Sequence, residues 1–134
     1  MFERLNSLRP RAHWLLRVAF ASVFLFHGVG KVASFAAFSA MMGLSVPVAA
    51  LVTFAEIAAG VGIIIGGLGN EAITRLAGFA AIPVLLGAIL MVHGPRWSFV
   101  ATEDFPMGGM EFQVVLLLSA TYFLITGNEQ SRLG

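Results

Sequence analysis

Val46-Pro47-Val48-Ala49-Ala50-Leu51-Val52-Thr53-Phe54-Ala55-Glu56-Ile57-Ala58-Ala59-Gly60-Val61-Gly62-Ile63-Ile64-Ile65 carries a single charge, Glu56, in an otherwise apolar run. About 20 such residues in a helix cross the ~30 Å hydrocarbon core of a bilayer. A carboxylate in the middle of a span costs about 2.5–3.5 kcal/mol on an insertion scale. Glu56 therefore needs a partner, a proton or a water-filled cavity. His27, Lys31, His93 and Glu111 lie at comparable depth in the other apolar segments.

Working outward, the rest of the chain has the same character. It is 58% hydrophobic and 11% charged, with a mean hydropathy of +0.90. A soluble domain carries about 25% charged residues, so most of this surface must face lipid. Four apolar segments approach spanning length, about 14–32, 47–68, 73–92 and 110–125, the last one short. Alternating β-barrel patterning is absent, and helices are then the remaining way to satisfy the backbone in lipid. The expectation is an all-α integral membrane protein, one membrane domain over residues 1–134, folded as a four-transmembrane-helix bundle.

The net charge of +1 and the lack of a basic stripe argue against nucleic acid as a partner. With no cysteine, the chain has no disulfide, no thiolate metal site and no thiol relay of its own. Arg4, Arg9, Arg11 and Arg17 precede the first apolar stretch, and Ala19-Phe20-Ala21 resembles a cleavage tripeptide. No apolar region of about 7–15 residues stands before it, so it reads as an uncleaved span.

Arg4, Arg9, Arg11, Arg75 and Arg132 collect on one side, with Arg17 expected to snorkel towards it, while Lys31 and Arg96 stand on the other. By the positive-inside rule the termini and the Gly69-Asn70-Glu71 turn are cytoplasmic. The expected location is the inner membrane of a bacterium, with segments 33–46 and 94–109 outside.

Those two outer segments differ. In 34–43, Phe35, Phe38 and Met42 recur at helical spacing, which predicts a short interfacial helix between spans one and two. The segment 94–109 carries prolines, charges and belt-type aromatics (Trp97, Phe99 and Phe105), suited either to lid a pocket or to lie at the interface.

His27 and Lys31 are spaced i, i+4 and share a helix face, with Gly28 and Gly30 beside them to admit another backbone. Glu56 lies ~13 Å along its helix from Pro47, with Gly60 one turn on. His93 closes the third span and Glu111 opens the fourth, where a carboxylate also suits the helix dipole. The blander reading is a structural ion pair with capping residues. The sharper one is a ligand pocket formed by His27, Lys31, Glu56, His93 and Glu111, because intramembrane ionisable groups concentrate at functional sites.

Other motifs lead nowhere. Gly67-Leu68-Gly69-Asn70-Glu71-Ala72 fits a dinucleotide fingerprint formally, but it joins two spans rather than a strand and a helix. Gly62-Ile63-Ile64-Ile65-Gly66 permits close helix packing within the bundle or between protomers. Haem ligation by His27 and His93, and a metal held by His27, His93 and Glu56, are both disfavoured, since nothing in the spacing fixes either.

Phe26-His27-Gly28-Val29-Gly30-Lys31 resembles the first-span signature of the DoxX family of small four-span bacterial membrane proteins. Phe54-Ala55-Glu56-Ile57-Ala58-Ala59-Gly60, Gly87-Ala88-Ile89-Leu90-Met91-Val92-His93 and Gly108-Gly109-Met110-Glu111-Phe112 are similar to its later elements. The resemblance implies a four-span bundle and carries His27, Lys31, Glu56, His93 and Glu111 over as recurrent polar positions. Relatives include a subunit of a thiosulfate:quinone oxidoreductase and members of oxidative-stress or thiol-redox membrane complexes. Their sulfur chemistry does not transfer to a chain without cysteine.

The expectation is a quinone- or lipid-binding subunit, itself not necessarily catalytic, working with a membrane redox complex or as a homo-oligomer. Quinone is the cofactor that this reading admits. The alternatives are a non-enzymatic assembly subunit, whose polar group pins helix register, and a small oligomeric transporter.

Overall fold

The computed structural model describes residues 5–129, so Arg4 and Arg132 of the charge asymmetry lie outside the described residues. Five helices follow one another without a strand among the described residues: α1 Arg9–Ala33, α2 Phe35–Met42, α3 Val46–Gly67, α4 Glu71–Ala88 and α5 Glu111–Thr126. A π-helical turn, Ile89–His93, extends α4. Three of these rods, with α4 and its π turn as one, are long and apolar enough to cross a membrane, and α5 is the shorter fourth.

Local chemistry sets the ends. Pro10 and Pro47 sit in the first turns of α1 and α3, where a missing N–H costs nothing. Asn70 caps α4 by accepting from the Ile73 N–H at 3.2 Å. The last turn of α4 widens because the Gly94 N–H reaches back five residues to the Ile89 carbonyl at 2.7 Å. Gly43 ends α2 in the left-handed region at φ 61, and the Gly43 and Leu44 N–H groups return to the Ala40 and Ser39 carbonyls.

The rods pack in chain order, α1 on α3, α3 on α4 and α4 on α5, and α1 touches α5 only sparingly. Small residues form the seams. A methyl group added at Gly60 would lie 2.7 Å from Leu25 Cγ, and one at Gly62 would lie 2.8 Å from Ala77 Cβ. At Gly78 it would meet the Ala120 carbonyl at 2.6 Å. The Gly62/Gly66 pair thus serves packing inside the bundle, against Ala77 and Thr74 of α4. Gly30 admits nothing, since no atom lies within 4 Å of its would-be Cβ.

Between the seams Phe20, Phe24, Ile63, Leu85, Leu116 and Phe123 build one core. The outward faces are just as apolar, with Leu15, Phe26, Leu51, Phe54, Leu76 and Leu90 all exposed. A soluble protein does not expose such a belt, and a bilayer accounts for it.

The α1–α3 register explains α2. Gly28 abuts Glu56 and Ile57, and Gly67 abuts Arg17, so the two helices run antiparallel. At ~1.5 Å per residue, α1 then stops about 8 Å short of the level where α3 begins. α2 fills that step, with Phe38 buried and Phe35 and Met42 half-buried on its inward face.

Candidate functional site

Polar side chains gather at both ends of the bundle. At the end formed by α2 and the 94–110 loop, Lys31 Nζ donates to both carboxylate oxygens of Glu56 at 2.7 Å. The two side chains are 19% and 8% exposed, which leaves Lys31 the more accessible partner. Phe38 of α2 lies over it, with Nζ 5.0 Å from the ring centre, a cation–π contact. Gly28 makes this geometry possible. A methyl group there would stand 3.3 Å from Glu56 Cβ and 2.7 Å from Ile57 Cγ1, so a larger residue would wedge α1 away from α3.

His93, the last residue of the π turn, forms a second polar couple. Its Nε2 lies 3.0 Å from Gln113 Nε2, and its Nδ1 lies 3.4 Å from the Gly108 carbonyl. With the proton on Nδ1, the ring donates to Gly108 and accepts from Gln113. Gln113 Oε1 is then buried with no hydrogen-bond partner among the described residues, an acceptor that ordinarily finds a donor. Carried across the Gly62–Ala77 and Gly78–Leu124 contacts, the helix registers put Gln113 about one turn nearer this end than Glu56.

The 94–110 loop closes the end as an ordered frame. Arg96 donates to Thr102 Oγ1 at 3.1 Å and stacks on Phe105, and its carbonyl accepts from the Met110 N–H at 2.8 Å. Gly108, at φ 72, and Gly109 are buried against the carbonyls of Phe99, Arg96 and Ser98, where no side chain fits.

Of the residues singled out in the sequence, the structure brings Lys31 and Glu56 together and sets His93 beside Gln113. His27 is exposed, and its ring stands edge-on to Phe26 at 5.6 Å. Glu111 is half-buried in the first turn of α5. No group of three His, Asp or Glu side chains converges to hold a metal ion among the described residues.

The opposite end corrects the reading of Arg17. It does not snorkel: it is 1% exposed and runs into the bundle. Its Nη1 donates to the Ile63 carbonyl at 2.7 Å and to Thr74 Oγ1 at 3.1 Å. Its Nη2 donates to Asn128 Oδ1 at 2.7 Å and to the Gly127 carbonyl at 3.3 Å, and its Nε donates to His13 Nδ1 at 2.9 Å. Asn128 Nδ2 in turn donates to the Gly66 carbonyl at 2.8 Å. Gly66 lies in the last turn of α3, Ile63 just before that turn, and Gly127 follows α5, so the guanidinium sits near the negative ends of two helices.

Arg75 does likewise for α5, donating to the Leu124 and Ile125 carbonyls at 2.8 and 2.6 Å while paired to Glu71. Thr74 and Asn128, both polar residues next to glycine-bearing helix ends, were the available sequence signal for this clamp.

Residues 12–94 match the sequence pattern of a known family, DoxX, a stretch running from the first turn of α1 through the π turn. It contains His27, Lys31, Glu56 and His93, whereas Gln113 and Glu111 lie beyond it. No curated protein and no solved structure matches the chain.

Proposed function

The chain belongs to the DoxX family, and from that premise we propose that it is a quinone- or lipid-binding membrane subunit that works beside a redox partner. One observation carries the reading: an ion pair, Lys31–Glu56, set among apolar helices and left partly open on its lysine side. A quinone carbonyl needs a donor, and Lys31 Nζ has a third N–H beyond the two given to Glu56. A quinol hydroxyl needs an acceptor, and both Glu56 and Gln113 Oε1, which has no partner among the described residues, are acceptors.

Reduction of a quinone takes two electrons and two protons. The electrons come from the partner, since the chain has no thiol to relay them. The protons pass through the Lys31–Glu56 pair, with His93 and Glu111 linking it to water and His27 meeting the ligand from the lipid side. The charge distribution along the chain supports an inner-membrane protein with cytoplasmic termini, which opens this end of the bundle to the outside.

Extraction of the natively purified protein, followed by mass spectrometry of its co-purifying small molecules and proteins, is expected to return a quinone and a redox subunit. A preparation free of quinone that also fails to bind a short-chain quinone contradicts the reading.

The self-sufficiency of the ion pair favours a second reading. Lys31 and Glu56 satisfy each other across the α1–α3 seam, as a register pin in an assembly subunit would. That role predicts that Glu56→Gln lowers folding yield or complex recovery and leaves no separable binding defect.

A further inference from the structure

We propose that a hollow at the loop end is a thioether site for a soft monovalent cation of the Cu(I) type. The hollow has a volume of about 340 Å³, and Met41, Met42, Met91 and Met107 line it together with Asp104. The chain has 6 methionines in all, so most of its thioether sulfur is gathered at one place. These four come from three separate segments: Met41 and Met42 from the last turn of α2, Met91 from the π turn and Met107 from the 94–110 loop.

Methionine commonly fills gaps in cores, where it is buried. Here Met41, Met91 and Met107 are 67%, 61% and 55% exposed around an open hollow, so they are not core filler. Each supporting segment is held in place. Gly43 fixes the end of α2, the Gly94–Ile89 hydrogen bond closes the π turn, and Arg96 with the buried Gly108–Gly109 pair frames the loop.

The ligand chemistry selects the ion. Thioethers favour Cu(I) among biological metals, and Ag(I) is its redox-inert analogue. Hard divalent ions need several oxygens, and this lining offers one carboxylate side chain. Asp104 supplies the single negative charge that a monovalent cation requires, and among the described residues no Lys, Arg or His lines the hollow. With no cysteine in the chain, thioether is the softest ligand it has.

The test is titration of Ag(I) into the purified full-length protein in detergent, read by calorimetry and native mass spectrometry. One saturable equivalent is expected, lost when Met41, Met42, Met91 and Met107 are all changed to Leu. Leucine conserves volume and is tolerated in packing. Binding is expected to survive Met110→Leu and Glu56→Gln, which separates this site from the proposed quinone site.

A second measurement needs no variant: Ag(I) should shield Met41, Met42, Met91 and Met107 from peroxide oxidation relative to Met110. Absence of saturable binding, undiminished binding by the fourfold leucine variant, or an oxidation pattern that Ag(I) leaves unchanged overturns the proposal.

Discussion

Arg17 shows what a single residue can hold together in a membrane bundle. Its guanidinium makes five hydrogen bonds that join α1, the end of α3, the start of α4 and the segment after α5. Interhelical hydrogen bonds in membranes average about 0.6 kcal/mol. Those to a charged group are stronger, so Arg17→Met is expected to lower stability by roughly 3 kcal/mol or more. Arg17→Lys should recover little, because an ammonium lacks the planar fork that reaches several acceptors at once. Thermal unfolding in detergent checks both, and a variant within 1 °C of the parent would show that the network is dispensable.

The sequence alone places Arg17 at the charged end of a span, where snorkelling is the ordinary outcome. Its true course depends on Thr74 and Asn128, which are distant in sequence and meet only after three helices have packed. Glu56 was legible for the opposite reason. An acid inside an apolar run announces its cost, and an i, i+4 turn ending in Lys31 offers the matching charge. Gln113 escaped notice because a neutral amide barely disturbs an apolar segment.

At the scale of elements, glycine decides how closely the rods approach. At Gly66 an added methyl would meet the Thr74 backbone, with N at 2.5 Å and Cα at 2.9 Å, and backbone cannot yield as a side chain does. Gly66→Ala is therefore expected to destabilise the α3–α4 pair strongly. Gly30→Ala meets nothing and should be neutral or stabilising, by up to about 1 kcal/mol from helix propensity. Paired melting curves for the two variants test the packing directly, and a Gly66→Ala protein as stable as the parent would contradict it.

The apolar helices were legible, since length and hydropathy mark them, although α1 begins at Arg9 rather than near residue 14. The π turn was not. It arises where Gly94 bonds five residues back, and the neighbouring loop then seats His93 against Gly108 and Gln113. No periodicity in Ile89-Leu90-Met91-Val92-His93 announces that widening. The depth of α2 was likewise hidden, because it follows from where α1 stops relative to α3.

For the whole molecule, an apolar belt lies between two polar ends of different design. One end is sealed, with Arg17 and Arg75 satisfying helix carbonyls. The other holds a partly open ion pair under Phe38 and a histidine–amide couple with a spare acceptor. That contrast was only half legible in the sequence, which placed the polar group at one end and underrated the other.

The absence of cysteine gives a clean background for testing orientation. Glu103→Cys in intact cells is expected to react with an impermeant maleimide, and Leu68→Cys only after the membrane is opened. The reverse pattern would contradict the proposed orientation.

The most direct measurement is a short-chain quinone titration of the parent and Glu56→Gln in parallel with their unfolding curves. The proposed role predicts that Glu56→Gln weakens quinone binding at least about tenfold, roughly 1.4 kcal/mol, while the folded protein survives. Equal quinone affinity in the two proteins, or loss of binding only in step with loss of fold, would contradict it.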